Sequence, residues 1–299
     1  MCLKRLRKKV KYVIICRIKE DGGTNMYYRH NLDYKYPERS DEHMITVKRL
    51  RDIEFDENYP YLRRDLGYKL IRAATFVLLN IVAFPLIRIT HGLKVHGRKI
   101  LKKYKKEFKD GAITISNHVF MWDFMCVARA IRPHLSFFPA WKINLFGPNG
   151  PLIRMAGGIP IPTENLRAMV KFKKAMEWVL ENKKWMHFYP EGSMWFFYPD
   201  IRPFKKAVFK YAVKFDKPII PIGLSFRPRK GITKLFTKKP CVDVNIGEPI
   251  FVNKELSMPL AIDDLHKKAY HIIQGLCGIH PGDPTYNENQ NIEEYQKTM

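Results

Sequence analysis

A histidine and an aspartate lie five positions apart, at His118 and Asp123, within the otherwise apolar and aromatic stretch ISNHVFMWDFM. An imidazole changes its protonation state near neutral pH, so His118 could accept a proton from a reacting group. A carboxylate beside it would fix the ring tautomer and offset the charge of the imidazolium. The pair therefore predicts a proton-transfer site. The simpler alternative is a core histidine next to an aspartate that caps a helix.

Further polar motifs follow this pair in order along the chain. They are KINLFG beginning at Lys142, GGIPIPTE around Pro162, YPEGSM around Glu191, Gly192 and Ser193, and PFKKA around Lys205 and Lys206. Short motifs match by chance when taken singly, but four in one order and in strand and loop contexts make a specific signal.

The order NHxxxxD, KxxLFG, GGIPI, PEGS and PFKKA followed by PIIPI resembles the lysophospholipid acyltransferases, and more narrowly the bacterial 1-acyl-glycerol-3-phosphate acyltransferases. The resemblance covers about residues 95 to 250. It implies that a fatty acyl group moves from coenzyme A or acyl carrier protein to the hydroxyl of a lysolipid, with lysophosphatidic acid as the expected acceptor and phosphatidic acid as the product. It also implies His118 as general base with Asp123 as its partner, and no bound cofactor.

The same resemblance implies roles for the neighbouring residues. Glu191, with Gly192 and Ser193, would position the acceptor, and Asn117 would support the catalytic loop. Gly192 or the turn around Asn117 could also supply backbone N–H groups for the oxyanion of the tetrahedral intermediate.

Two positions depart from the family pattern. Pro162 and Met194 stand where family members usually carry arginines that are implicated in holding the acceptor's phosphate. A different lysolipid or amphipathic alcohol therefore remains open as the acceptor. Candidates for the replacement cation are Lys142, which matches a family lysine, and Arg154, Arg202, Lys205 and Lys206.

Charge and cysteine content narrow the partners and the compartment. The 299 residues carry a formal net charge of +24, which predicts an anionic partner, here an anionic phospholipid membrane. Nucleic acid is not expected, because the charge is spread along the chain and no nucleic-acid-binding signature occurs. The 5 cysteines form no CxxC pair, which is typical of reduced thiols in a cytosolic setting. We expect no metal site, because the histidine pairs His91 and His96, and His266 and His271, are spaced unlike a helical zinc site.

An apolar segment precedes the motifs. Ala73–Ile87 contains 15 residues without a charge and would span about 22 Å as a helix. A spanning helix needs roughly 20 apolar residues, so we expect this one to dip into one leaflet, with Arg72 and Arg88 reaching the headgroups. A buried core helix is the alternative. The segment predicts a monotopic or peripheral protein on the cytoplasmic face of a bacterial cell membrane.

From about residue 95 onward, strand-like and helix-like segments alternate, which predicts an α/β fold with a mixed sheet flanked by helices. The expected strands are Ala112–Ile115, Leu135–Ala140, Trp185–Tyr189, Ile219–Ser225 and Val242–Ile246, and the expected helices Asp123–Ile131, Asn165–Glu181, Phe204–Phe215 and Leu260–Leu276. The predicted organisation is an N-terminal extension of unknown role (1–65), an apolar membrane-associating region (66–94), a catalytic domain (95–280) and a polar C-terminal tail (281–299). A non-catalytic basic protein of the membrane surface is the rival interpretation; it would need neither His118 nor Asp123.

Overall fold

The structure, a computed structural model, describes residues 32–235 and 237–281, together with His30 and Asp283. Cys2, Cys16, the possible strand over 11–18 and the turn over 20–25 lie outside the described residues, as does most of the C-terminal tail.

A seven-stranded sheet forms the centre of the described chain, in the order β1-β7-β6-β2-β5-β3-β4. The strands are β1 (Lys94–His96), β2 (Ile113–Ser116), β3 (Ser136–Trp141), β4 (Gly158–Ile161), β5 (Trp185–Phe188), β6 (Ile219–Arg227) and β7 (Cys241–Ile246). Strands β6, β2, β5, β3 and β4 are parallel to one another, whereas β7 runs antiparallel to β6. The predicted mixed α/β sheet is therefore confirmed.

Helices cover both faces of this sheet. They are α1 (Leu66–Leu78), α2 (Phe84–Thr90), α3 (Arg98–Lys103), α4 (Asp123–Ala130), α5 (Lys142–Phe146), α6 (Gly150–Ala156), α7 (Leu166–Glu181), α8 (Ala207–Lys214) and α9 (Met258–Leu276). One hydrophobic cluster packs α7, α8 and α9 against one face, and a second packs α1, α2 and α4 against the other. The two faces arise because alternate residues of a strand point to opposite sides: Ile219 of β6 joins the first cluster, and Ile220 and Ile222 join the second.

The apolar segment belongs to a helix that is longer than the sequence predicted. Leu66–Thr90 form 25 helical residues, about 37 Å long, in which a π-helical turn over Leu79–Ala83 joins α1 to α2. Proline lacks an N–H and its ring crowds the preceding turn, so the wider π turn accommodates Pro85 without ending the helix. By length and composition alone this helix could cross a membrane, so the expectation that it is too short was wrong.

One side of this long helix packs on the domain and the other side is exposed. The Arg72 Nη2 donates a hydrogen bond of 2.8 Å to the Ser136 carbonyl oxygen, and Phe84 and Ile87 are buried in the second cluster. The exposed side carries large apolar residues: Leu66, Leu70, Ile71, Val77, Leu78, Ile81, Val82, Leu86 and Ile89. A fully buried core helix, the alternative at the sequence level, does not describe this arrangement.

Candidate active site

Two adjacent strands bring the predicted catalytic motifs together. β2 and β5 are parallel neighbours, with Ile115 paired with Phe188. Their carboxyl ends therefore lie at the same edge of the sheet, the edge at which α/β proteins bind ligands. His118 follows β2 and Tyr189 follows β5, and their rings stack with centroids 3.8 Å apart.

The two ionisable groups of the first motif are in direct contact. The Nδ1 of His118 lies 2.5 Å from Oδ2 of Asp123, whose side chain is 1% exposed. Asp123 is the first residue of α4, and its carboxylate accepts hydrogen bonds instead of capping the helix. No described residue bonds to the His118 Nε2. If the carboxylate accepts Nδ1–H, Nε2 is unprotonated and can accept a proton.

Tyr189 completes the environment of this carboxylate. Its hydroxyl donates a hydrogen bond of 2.9 Å to Oδ1 of Asp123. Burial and the Asp123 charge raise the pKa of Tyr189 well above its usual value of 10.0, so the phenol remains a donor at neutral pH. Asp123 therefore accepts a bond at each oxygen, which fixes its orientation toward the imidazole.

A second histidine lies beneath the first. His187, on β5, is buried, and its Nδ1 lies 2.9 Å from the Thr114 hydroxyl oxygen. Burial, with a contribution from His118, lowers the pKa of His187 to about 3. His187 is therefore neutral at physiological pH and adds no positive charge below His118.

Glu191 is buried and points into the protein instead of lining the cavity. Its Oε2 accepts bonds from the His118 backbone N–H at 2.9 Å and from the Arg202 Nη2 at 2.8 Å, and its Oε1 accepts from the Arg202 backbone N–H at 2.9 Å. The carboxylate is thus fully engaged in connecting the loop after β2 to the loop after β5. Sequence reasoning had placed Arg202 only among the possible phosphate ligands.

Asn117 and Ser193 are also buried, on either side of His118. The Asn117 amide donates to the Leu224 carbonyl oxygen at 2.9 Å and accepts from the Leu224 N–H at 2.8 Å, so it joins the loop to β6. The Ser193 hydroxyl donates to the Ser40 carbonyl oxygen at 3.0 Å and accepts from Nη1 of Arg202 at 2.6 Å. Both side chains are consumed by internal bonds.

Gly192 is the one residue of the PEGS motif whose conformation demands glycine. Its φ is +85°, and a Cβ there would lie 3.0 Å from the Lys205 Nζ. Its N–H donates to the Tyr189 carbonyl oxygen at 3.0 Å, so in this conformation it is not free for an oxyanion.

A cavity of about 580 Å³ opens beside His118, Asp123 and Gly192. Its walls are mainly apolar and aromatic, and come from the carboxyl ends of β3, β4 and β5 and from α4, α5 and α6. Met121, Trp122 and Phe124 line it next to the imidazole. This size and lining suit an apolar ligand of moderate length.

The N-terminal extension closes one side of the cavity. His43 stacks on Trp141 with ring centroids 3.8 Å apart, and Ile45 to Lys48 line the same wall. Burial, together with the positive charges of His118 and Lys205, lowers the pKa of His43 to about 4. The sequence analysis assigned this region no role, because a segment without regular structure carries no periodic signal.

The predicted cations are distributed unevenly around the cavity. Lys142 pairs with Glu164 at 2.6 Å, Lys206 pairs with Asp263 at 2.6 Å, and Arg154 donates to the carbonyl oxygens of Tyr61 and Gly158 at 2.7 and 2.8 Å. Lys205 lies next to Gly192, and its charge acts on His43 and Asp41. Its ammonium is in no ion pair with a described residue.

In the described residues, no group of three or more His, Cys, Asp or Glu side chains has an arrangement that could hold a metal ion. Cys126, Cys241 and Cys277 are free and buried.

Residues 92–225 match the family model described as Acyltransferase. The chain therefore carries a domain of the acyltransferase family, which confirms the resemblance at the level of the family. Among solved structures, the 1-acyl-sn-glycerophosphate (LPA) acyltransferase PlsC from Thermotoga maritima aligns with 19% identity over 72% of this chain and 85% of that chain, with a TM-score of 0.41. No curated protein matches this chain.

Proposed function

We propose that this protein transfers a fatty acyl group from acyl-coenzyme A or acyl carrier protein to the hydroxyl group of a lysolipid. The observation that carries the proposal is the pairing of His118 with the buried Asp123 beside a largely apolar cavity of about 580 Å³. A bound cofactor is not part of the scheme, because the thioester donor is already activated.

The reaction needs one positioned base. The acceptor hydroxyl oxygen attacks the thioester carbonyl carbon while the Nε2 of His118 takes the hydroxyl proton. The tetrahedral oxyanion then collapses, the C–S bond breaks, and the leaving thiolate receives that proton from the imidazolium. A positioned general base contributes roughly 10²–10⁴-fold to such a step.

Asp123 and Tyr189 support this cycle from beneath the imidazole. The Asp123 carboxylate, 2.5 Å from Nδ1, offsets the imidazolium charge, and the Tyr189 hydroxyl keeps the carboxylate in place at 2.9 Å. We propose Glu191 and Asn117 as positioning residues, because their contacts fix the backbone on each side of His118.

The proposed acceptor is 1-acyl-glycerol-3-phosphate, which would give phosphatidic acid. Lys205 is the proposed phosphate ligand, since it lies next to Gly192 at the cavity and is in no ion pair with a described residue. Lys142, Arg154 and Lys206 are already engaged by other groups. A different lysolipid or amphipathic alcohol is the alternative, favoured by Met194 in the cavity wall where the family usually has arginine.

The long helix suits a position in the membrane interface. Its packed side contacts the domain near both ends, through Arg72 and through Phe84 and Ile87, so it runs along the domain surface. An apolar face on such a helix can enter one leaflet while basic residues remain at the headgroups. We propose monotopic or peripheral attachment to the cytoplasmic face of a bacterial membrane.

A basic, non-catalytic membrane-surface protein is the second candidate, and the exposed apolar face of Leu66–Thr90 is what favours it. It predicts the same membrane binding without a need for the His118–Asp123 pair.

The deciding experiment measures acyl transfer from labelled acyl-coenzyme A and acyl carrier protein to a panel of lysolipids, with His118→Ala beside the unaltered protein. We expect transfer to lysophosphatidic acid that falls by about 10²–10⁴-fold in the variant. Vesicle binding should be equal for both proteins, which is the control for folding. Absence of transfer to every acceptor, with both donors, would favour the non-catalytic candidate.

A further inference from the structure

A second cavity, of about 540 Å³, lies at the opposite edge of the sheet from His118. Its walls include Leu135 and Phe137 at the start of β3 and Lys184 and Trp185 at the start of β5. These are the amino ends of strands whose carboxyl ends border the first cavity. The two cavities are therefore separate sites.

The lining of this second cavity is strongly basic. Eight lysine or arginine side chains contribute to it, and none of its lining residues, all within the described chain, is Asp or Glu. Neighbouring carboxylates take up two of these cations: Asp65 pairs with Arg63 at 3.1 Å, and Asp110 pairs with Lys183 at 2.7 Å. Six cations of the wall are in no ion pair with a described residue: Arg64, Lys69, Arg72, Lys105, Lys109 and Lys184.

Arg72 makes this more than a solvated basic surface. Its side chain is buried, its guanidinium lies 4.0 Å from the centre of the Phe137 ring, and its Nε, also buried, has no hydrogen-bond partner. An unpaired polar atom on a buried cation is unfavourable, and an anion in the cavity would offset the charge. Arg64 is also held in place, 5.2 Å above the Trp178 ring.

The position of the cavity indicates what kind of anion fits. Tyr68, Lys69 and Arg72 of its wall belong to α1, and the next residues around that helix, Leu66 and Leu70, are 70% and 62% exposed. An anionic headgroup in the cavity would therefore have apolar surface directly beside it for its acyl chains. A free phosphate would use the cations but not the apolar face.

We propose that this basic cavity binds the phosphate-bearing headgroup of an anionic phospholipid, with the acyl chains of that lipid lying along the exposed apolar face of α1. Such a bound lipid would fix the depth and orientation of the domain on the membrane. The site is independent of the acyl-transfer reaction, since it shares no lining residue with the first cavity.

The test uses full-length protein and soluble dihexanoyl-phosphatidylglycerol, with affinity read from tryptophan fluorescence, because Trp178 and Trp185 border the cavity. The variant is Lys69→Gln/Lys109→Gln/Lys184→Gln, three exposed residues of the wall. The control is Lys171→Gln/Lys173→Gln/Lys174→Gln on α7, which removes the same charge from exposed positions outside the cavity. We expect the cavity variant to weaken binding about tenfold or more and the control about twofold or less, at equal melting temperature.

Three further arms separate the alternatives. His118→Ala should keep full affinity, because binding at the first cavity is not being measured. Inorganic phosphate that binds as tightly as the lipid, and competes with it, would overturn the lipid assignment. So would a cavity variant that binds the lipid like the control but loses acyl carrier protein. If the triple variant does not fold, Lys69→Gln/Lys184→Gln carries the same comparison.

Discussion

Arg202 and Glu191 form an ion pair of 2.8 Å inside the protein, with 2% and 0% of their side chains exposed. The same carboxylate accepts the backbone N–H of His118 at 2.9 Å. The pair therefore connects the folding of the loop after β5 to the position of the proposed general base. A buried charge that loses its partner remains desolvated without compensation, which makes this pair sensitive to substitution.

Glu191→Gln keeps the shape of the side chain but leaves the Arg202 charge buried and unpaired. We expect the free energy of unfolding to fall by about 3–5 kcal/mol, measured by urea denaturation. Asp263→Asn is the matched control, because its pair with Lys206 is part-exposed at the surface and such pairs contribute about 1 kcal/mol or less. Equal losses in the two variants would contradict the buried-pair argument.

Tyr189→Phe tests the support of the Asp123 carboxylate. The variant removes the 2.9 Å bond to Oδ1 and keeps the ring that stacks on His118. A hydrogen bond to a charged group contributes about 1.5–3 kcal/mol, so we expect kcat to fall by about tenfold or somewhat more. KM should change little, since the hydroxyl faces the carboxylate. An unchanged kcat would show that Asp123 is positioned without this bond.

His187 should make the fold sensitive to acid. Its pKa is about 3 in the folded protein, lowered mainly by burial, against an ordinary value of 6.5. Between these pH values the unfolded chain binds a proton that the folded chain does not, so stability falls as pH falls. One such proton contributes a slope of about 1.4 kcal/mol per pH unit.

His187→Gln, which keeps hydrogen-bonding groups near Thr114, should reduce the slope of unfolding free energy between pH 6 and 4 by up to that amount. Urea denaturation at several pH values measures it. Because other buried histidines titrate in both proteins, the informative quantity is the difference between them. Parallel curves for the two proteins would contradict the assignment to His187.

The sequence predicted the fold class and the juxtaposition of His118 with Asp123, because strands β2 and β5 have clear apolar patterns and their motifs follow directly. It missed β1 and β4, which have only 3 and 4 residues and no room for a periodic pattern. It also predicted the long helix too short, since Lys69 and Arg72 interrupt the apolar run although the helix continues through them.

Tertiary contacts explain why the sequence did not reveal the orientation of Glu191 or the use of the extension. Glu191 faces inward because Arg202, eleven positions later, comes to lie beside it, and spacing alone does not predict that contact. The Ser40 and Glu42 carbonyl oxygens accept bonds from Arg202 and from the Trp195 indole N–H, which holds the extension against the site. Tyr189 could have been noticed, because it directly follows a predicted strand within the PEGS motif.

His43→Ala tests the extension as part of the substrate cavity. The variant removes the ring that stacks on Trp141 and opens one wall. Losing an aromatic contact of about 1 kcal/mol predicts a KM raised about fivefold, with kcat nearly unchanged because His43 does not contact the His118 ring nitrogens. Arg39→Ala, an exposed change in the same segment, is the control. A fall in kcat with constant KM would instead assign His43 to the chemistry.

Lys205 and Lys206 are adjacent lysines with different surroundings, and together they test the acceptor. Lys205 lies beside Gly192, whereas the ammonium of Lys206 pairs with Asp263 at 2.6 Å. If the acceptor carries a phosphate, Lys205→Met should lower kcat/KM for lysophosphatidic acid about 10–100-fold, the size of a lost charged hydrogen bond, and Lys206→Met about twofold or less. Lysophosphatidylcholine, measured beside it, reports a zwitterionic acceptor. If neither lysine alters the preference between the two lysolipids, Lys205 does not bind the phosphate, and the substitutions at Pro162 and Met194 then indicate a different acceptor.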